Sequence, residues 1–114
     1  MKYNEVKQGD IIKICLDPTI GSEQAGYRPA IVISNASHSR ASNMRIVCPI
    51  TNTDRKNPLH VKLNNLITTG FAMCDQIRSI DLRARDFKFV ESVDEETLWE
   101  ICDIVRGSVE TEGN

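Results

Sequence analysis

The sequence predicts a mainly β domain of the α+β class: a small, curled antiparallel sheet closed or covered by one C-terminal helix. Short runs rich in Ile and Val alternate with stretches dense in Gly, Pro, Ser and Asn, the pattern of several short strands. After Val93 the apolar period lengthens to that of an amphipathic helix. With 114 residues and no repeats, low-complexity tracts or long linkers, residues 1–114 read as a single domain. A chain of this size buries on the order of 65% of its unfolded surface.

The apolar runs 11–16, 30–33 and 46–50 are the first three strands. Leu59-His60-Val61-Lys62-Leu63 alternates with period two and reads as a half-exposed strand, which puts His60 on its open face. Thr69-Gly70 signals a turn, after which Phe71-Ala72-Met73-Cys74 continues toward Ile77 and Ile80 as a further strand. Leu82–Asp86 holds good helix formers and makes one short turn, and Phe87–Val90 alternates as a closing strand. Leu98, Ile101, Cys102, Val105 and Val109 then follow helical spacing, predicting a helix over 93–106. Ser92 and Glu95 have capping-box spacing at its start, and Gly107 offers a stop. The Ser/Asn-rich stretch 34–43, which carries His38, reads as a loop.

The net charge of −2 conceals a strong asymmetry. Residues 21–90 carry ten basic and five acidic groups, whereas 91–114 carry one basic and eight acidic groups. The body is cationic and the tail acidic, so a positive face can attract phosphate despite the overall balance. No apolar run approaches the roughly 20 residues that cross a bilayer. The N-terminus Met1-Lys2-Tyr3-Asn4-Glu5 is too polar to open a secretion signal, and a soluble, cytosolic protein without membrane partners is expected. Cys15, Cys48, Cys74 and Cys102 lie far apart in apolar stretches, which favours buried free thiols over a disulfide or metal framework. His38 and His60 are too widely separated to suggest a metal site, and no phosphate-cradling glycine motif is present. No cofactor is called for.

The segment Gly21-Ser22-Glu23-Gln24-Ala25-Gly26-Tyr27-Arg28-Pro29 carries the clearest chemistry, because a polar loop runs straight into the strand Ala30-Ile31-Val32-Ile33. Pro29 fixes its own φ and pushes Arg28 toward an extended conformation, so a guanidinium is presented at a strand mouth. Always charged and able to meet two phosphate oxygens at once, it suits stabilisation of charge on phosphorus. Thr51 ends the apolar strand Ile46-Val47-Cys48-Pro49-Ile50 and can donate its hydroxyl to a phosphate oxygen. Glu23 can accept a proton, orient Arg28 or simply be solvated. Asp75 sits near a strand end, where burial suits it to acid/base work or Arg78 holds it as a structural pair. Arg40, Arg45, Arg55 and Lys56 flank loops that border this rim and are candidate backbone contacts for single-stranded RNA. Asn52, Gln76 and Arg78 join them, and Tyr27 is the best-placed aromatic to stack on a base.

Together Gly9-Asp10-Ile11, Asp17-Pro18, the loop from Gly21 to Pro29, Pro49-Ile50-Thr51 and Asp75-Gln76-Ile77-Arg78-Ser79-Ile80-Asp81 resemble the MazF/PemK (Kid) toxins, ribonucleases of bacterial toxin–antitoxin systems. The resemblance runs from about Gly9 into the C-terminal helix. It implies an SH3-like antiparallel β-barrel, of the kind shared with CcdB, carrying a C-terminal amphipathic helix. It also implies a homodimer and a metal-independent endoribonuclease that leaves 2′,3′-cyclic phosphate and 5′-hydroxyl ends on mRNA. Implied partners are single-stranded RNA and a cognate antitoxin with an acidic, disordered segment, operator DNA being reached only through the antitoxin complex. In MazF-like members the principal catalytic pair maps onto Arg28 and Thr51. In the Kid branch an arginine and an aspartate on the later strand act with a loop histidine; Asp75 is retained here, but the other positions hold Met73 and Ser22, so that scheme does not transfer whole. The rival expectations are a CcdB-like gyrase poison of the same fold, whose C-terminal tryptophan tip is unmatched because Trp99 lies inside the helix, and an SH3-like interaction module.

Overall fold

Lys13 interrupts a strand in which Ile11, Ile12 and Ile14 are completely buried, and the reason is that both faces of this strand meet a core. The computed structural model describes residues 1–15 and 27–113; Glu23 lies outside the described residues. In chain order it shows β1 (Asp10–Cys15), β2 (Tyr27–Val32), α1 (Ala36–Ser42), β3 (Arg45–Thr51), β4 (His60–Lys62), β5 (Phe71–Met73), β6 (Arg78–Ile80), β7 (Phe87–Ser92) and α2 (Glu95–Val109). Single 3₁₀ turns at Tyr3–Glu5 and Leu82–Ala84 complete it.

The strands pair antiparallel in the order β4-β5-β3-β2-β1-β7, with β6 also on β3. β3 divides one edge between two partners: Arg45, Ile46 and Val47 face β6, while Ile50 and Thr51 face β5. The single strand expected from Phe71 to Ile80 is therefore two, broken by a turn in which the Gln76 amide donates to the Met73 carbonyl at 3.0 Å. The terminal strands β4 and β7 do not pair with each other, so the expected barrel stays an open, mostly antiparallel sheet.

Successive residues of a strand point to opposite faces, and β1 serves both. Ile11 joins Ile31, Cys48, Ile50, Val61, Ala72 and Ile101 in the core under α2, against which Cys102, Ile104 and Val105 also pack. Ile12 and Ile14 join Val6, Ala30, Val32, Val47, Ile80 and Leu82 on the other face. Each fully buried Ile contributes about 1.5–3 kcal/mol of transfer free energy. None of the four cysteines forms a disulfide; Cys48 and Cys74 are buried, and Cys15 and Cys102 are half-buried.

Local details depart from expectation for identifiable reasons. Residues 36–42 form a helix rather than a loop, because the Asn35 carboxamide oxygen accepts from the His38 amide at 3.0 Å and Asn43 closes the far end at φ 61°. The cap of α2 is Asp94, whose carboxylate accepts from the Thr97 amide and hydroxyl at 3.1 and 2.7 Å. Ser92 stays in β7 and donates instead to the buried Asp10 at 2.8 Å. Gly107 does not stop the helix, which runs on to Val109. Arg45, expected on the RNA-contacting rim, is 5% exposed and donates to the carbonyls of Val6, Tyr3 and Met44 at 3.1–3.3 Å. It pins the N-terminal turn to β3. The guanidinium is turned toward that N-terminal segment, and Arg45 does not line the cleft that holds Arg28.

Candidate active site

A proline marks the edge of the site. The β2–β3 ladder runs Val32↔Val47, Ile31↔Cys48, Ala30↔Pro49 and ends there. Pro29 offers no N–H toward β3, so the ladder lacks a donor just where it would continue. Extended by two residues, the register sets Arg28 opposite Thr51. Both line one open cleft of about 1290 Å³. Pro29, Pro49 and Ile50 form its floor; Asn52, Thr53 and Arg55 come from the segment after β3, Lys13 from β1, Met73 from β5, and Asp86, Phe87 and Lys88 from the start of β7.

The lining is strongly cationic. Lys13, Arg28, Arg55 and Lys88 face it, against the single carboxylate of Asp86 among the described residues. Lys13 and Lys88 are register partners across β1 and β7 and both line the cleft, so two lysines rise from adjacent strands where the neighbouring Ile12 and Ile14 turn inward. Such a like-charge pair is unfavourable without an anion and favourable with one. The Arg28 guanidinium is used by none of the hydrogen bonds or ion pairs among the described residues.

Thr51 is held for donation. Its hydroxyl oxygen accepts from the Thr53 amide at 3.2 Å, which directs its own hydrogen elsewhere. Behind it Gly70 lies at φ +121°, so close that a Cβ there would stand 2.4 Å from the Thr51 carbonyl oxygen. The Thr69 hydroxyl donates to the Asn52 side-chain oxygen at 2.9 Å, fastening the same spot.

The remaining sequence candidates divide cleanly. Tyr27, Asn52 and Arg55 line the cleft with Arg28 and Thr51. Arg40, on α1, and Lys56, Gln76 and Arg78 do not. Lys56 pairs with Asp54 at 3.5 Å and, through its amide, holds that carboxyl below the usual range. Asp75 is also outside the lining, and its partner is His60, not Arg78: Nε2 lies 2.9 Å from Asp75 Oδ1. The His60 side chain is only 3% exposed, contrary to the open face that alternation predicts. Lys13, Met73, Asp86, Phe87 and Lys88 were missed by sequence reasoning. Lys13 carried a signal, since a lysine inside Ile-Ile-Lys-Ile-Cys breaks an otherwise apolar strand. Among the described residues no group of three or more His, Cys, Asp or Glu side chains could hold a metal ion.

Fold and cleft together define a small, open antiparallel sheet that presents cations and a hydroxyl to an anion. Residues 7–109 match the family model of the PemK-like, MazF-like toxins of type II toxin–antitoxin systems. The chain belongs to that family. It is 36% identical over 105 residues to the Escherichia coli endoribonuclease PemK, covering 88% of this chain and 79% of that one. To the endoribonuclease toxin MazF of E. coli K12 it is 42% identical over 77 residues, 68% of this chain and 69% of that one. The crystal structure of MazF from Deinococcus radiodurans superposes with a TM-score of 0.78 at 27% identity, covering 91% of this chain and 96% of that one.

Proposed function

We propose that this protein is an endoribonuclease toxin that cuts single-stranded RNA, chiefly mRNA, without metal, by attack of a ribose 2′-oxygen on the adjacent phosphorus. The products are a 2′,3′-cyclic phosphate and a 5′-hydroxyl. The observation that carries this reading is the convergence of Arg28 and Thr51 at the mouth of one cationic cleft. Arg28 stabilises the additional negative charge that gathers on the phosphoryl oxygens, and Thr51 donates its free hydroxyl hydrogen to one of them. Removing one such preorganised donor costs about 10²–10³-fold in rate. Lys13, Lys88 and Arg55 hold the flanking phosphates, and Tyr27 offers a ring to a base. The 2′-hydroxyl proton goes to a carboxylate, the bond from phosphorus to the 5′-oxygen breaks, and that oxygen takes a proton from water or from the carboxyl just protonated; Glu23, in the sequence before Arg28, and Asp86, in the cleft wall, are the two groups we assign to this test.

Family membership and the antitoxin-bound MazE-MazF structures of D. radiodurans support an antitoxin as partner. An acidic, initially disordered antitoxin segment suits the cationic cleft and would compete with RNA there. A homodimer and a cytosolic location complete the proposal; no helix among the described residues is long and apolar enough to cross a membrane. The test is cleavage of a long unstructured transcript with EDTA present. Cutting that persists in EDTA and is lost in Arg28→Ala and Thr51→Ala variants of unchanged melting temperature supports the reading. Intact RNA at high protein concentration refutes it. Glu23→Gln and Asp86→Asn then tell the proton acceptor from the bystander by which one removes the acid limb of the rate profile.

A further inference from the structure

Asp75 stands outside the cleft, yet both of its oxygens are tied to the segment that builds one cleft wall. That segment, residues 52–59, joins Thr51 at the end of β3 to His60 at the start of β4, and carries Asn52, Thr53 and Arg55 into the cleft. Its near end is fixed by the Thr53 amide on the Thr51 hydroxyl at 3.2 Å and by the Lys56 amide on Asp54 at 3.0 Å. Its far end is fixed on Asp75: the Asn57 carboxamide donates to Oδ2 at 3.5 Å, and His60 Nε2 reaches Oδ1 at 2.9 Å. Asn57 in turn receives the Leu59 amide at 2.8 Å and the His60 amide at 3.0 Å. Arg55 is thus the cation between two fastened points.

The imidazole shows how far the fold commits to this clamp. Its side chain is 3% exposed, and Nδ1 is buried without a hydrogen-bond partner among the described residues. The tautomer with its hydrogen on Nε2 donates to Asp75 and leaves only a lone pair orphaned, so Asp75 is the one group that orients the ring. Without the carboxylate, neither ring nitrogen would have a side-chain partner among the described residues.

We infer that Asp75 is a positioning residue that, with His60, clamps segment 52–59 so that Arg55 meets a phosphate of the bound RNA. The inference rests on the ribonuclease reading for its functional half, and its structural half stands apart from it. Single-turnover cleavage of the transcript is measured for wild type, Asp75→Ala, Arg55→Ala and the double variant, together with His60→Gln and His60→Ala. Asp75→Ala and Arg55→Ala should each raise KM about tenfold with kcat within twofold. The double variant should be no worse than Arg55→Ala alone, because the clamp acts through that arginine. His60→Gln keeps an N–H for the carboxylate and should cleave like wild type, whereas His60→Ala should behave like Asp75→Ala.

Additive losses, or a fall in kcat at constant KM, would overturn the inference and give Asp75 a direct part in the chemistry. Amide hydrogen exchange supplies the second readout, independent of RNA: the Leu59 and His60 amides should exchange at least tenfold faster in Asp75→Ala while β1 amides are unchanged. Unchanged exchange overturns the clamp even if RNA is cut. Should Asp75→Ala fail to fold, Asp75→Asn replaces it, since its amide group opposes the Asn57 donor and must still loosen the same two amides. A wild-type protein that leaves the transcript intact sinks the ribonuclease reading alone, and the exchange result then decides the clamp.

Discussion

Replacing Gly70 with alanine tests whether the placement of Thr51 matters, without touching Thr51 itself. The added Cβ would stand 2.4 Å from the Thr51 carbonyl oxygen and 3.0 Å from its carbon, with the Asn52 side-chain oxygen at 3.2 Å. Ordinary contact begins near 3.4 Å, so the end of β3 must retreat by about 1 Å, and an error of that size in a catalytic group costs about 10²-fold in rate. The obstacle is backbone, which cannot swing aside as the tip of a side chain does. A non-glycine residue at φ +121° also carries strain of about 1–3 kcal/mol. For a domain of this size 2 kcal/mol lowers Tm by roughly 10 °C. The assay is single-turnover cleavage of the transcript at 20 °C, well below the lowered Tm, with the folded fraction read by circular dichroism. A folded Gly70→Ala protein that cleaves at the wild-type rate would refute the claim that this close approach sets the hydroxyl.

Further outcomes follow from the same geometry. If the four cleft cations each meet a phosphate, log K for a single-stranded oligonucleotide should fall with log salt at a slope of roughly −3, and Lys88→Ala should flatten it by about 0.7. Arg45→Met keeps most of the volume but leaves the Val6 carbonyl unpaired and takes one of two donors from the Tyr3 carbonyl, so urea denaturation should show a loss of about 1–3 kcal/mol while cleavage per folded molecule is unchanged. Burial pushes the Glu91 carboxyl up, but the amides of Thr68 and Ile67 outweigh it and hold the group below its ordinary value. Its contribution to stability is therefore present above about pH 4.3 and fades as pH falls through the lower folded value, and Glu91→Gln should flatten the acid limb of Tm against pH.

The apolar patterning made most of the architecture legible. Alternation and helical spacing in Ile11–Ile14, Ile31, Ile50, Val61 and Ile101 are direct consequences of burial on one face or two, and burial dominates the energetics. Features governed by a single polar bond were less visible. Asn35 turned a serine-rich stretch into a helix by satisfying one amide, and Asp94 displaced Ser92 as a cap because Ser92 was already engaged by Asp10. Arg28 and Thr51 each carry a local signal, the Arg-Pro step and the strand-ending threonine, but it is the family resemblance that makes them a pair. Lys13 and Lys88 join the cleft only through β1–β7 register, which is a long-range property. Arg45 and His60 misled for the opposite reason: a residue type written as surface is interior here, and only tertiary partners reveal it.

Pro29 gives the cleft a mechanical character. With no amide hydrogen on Pro29, β2 lacks one donor toward β3 at the edge of the cleft, so an arriving nucleotide finds one main-chain competitor fewer there. One main-chain rung is withheld there by covalent construction, beside four cations that can draw in an anion.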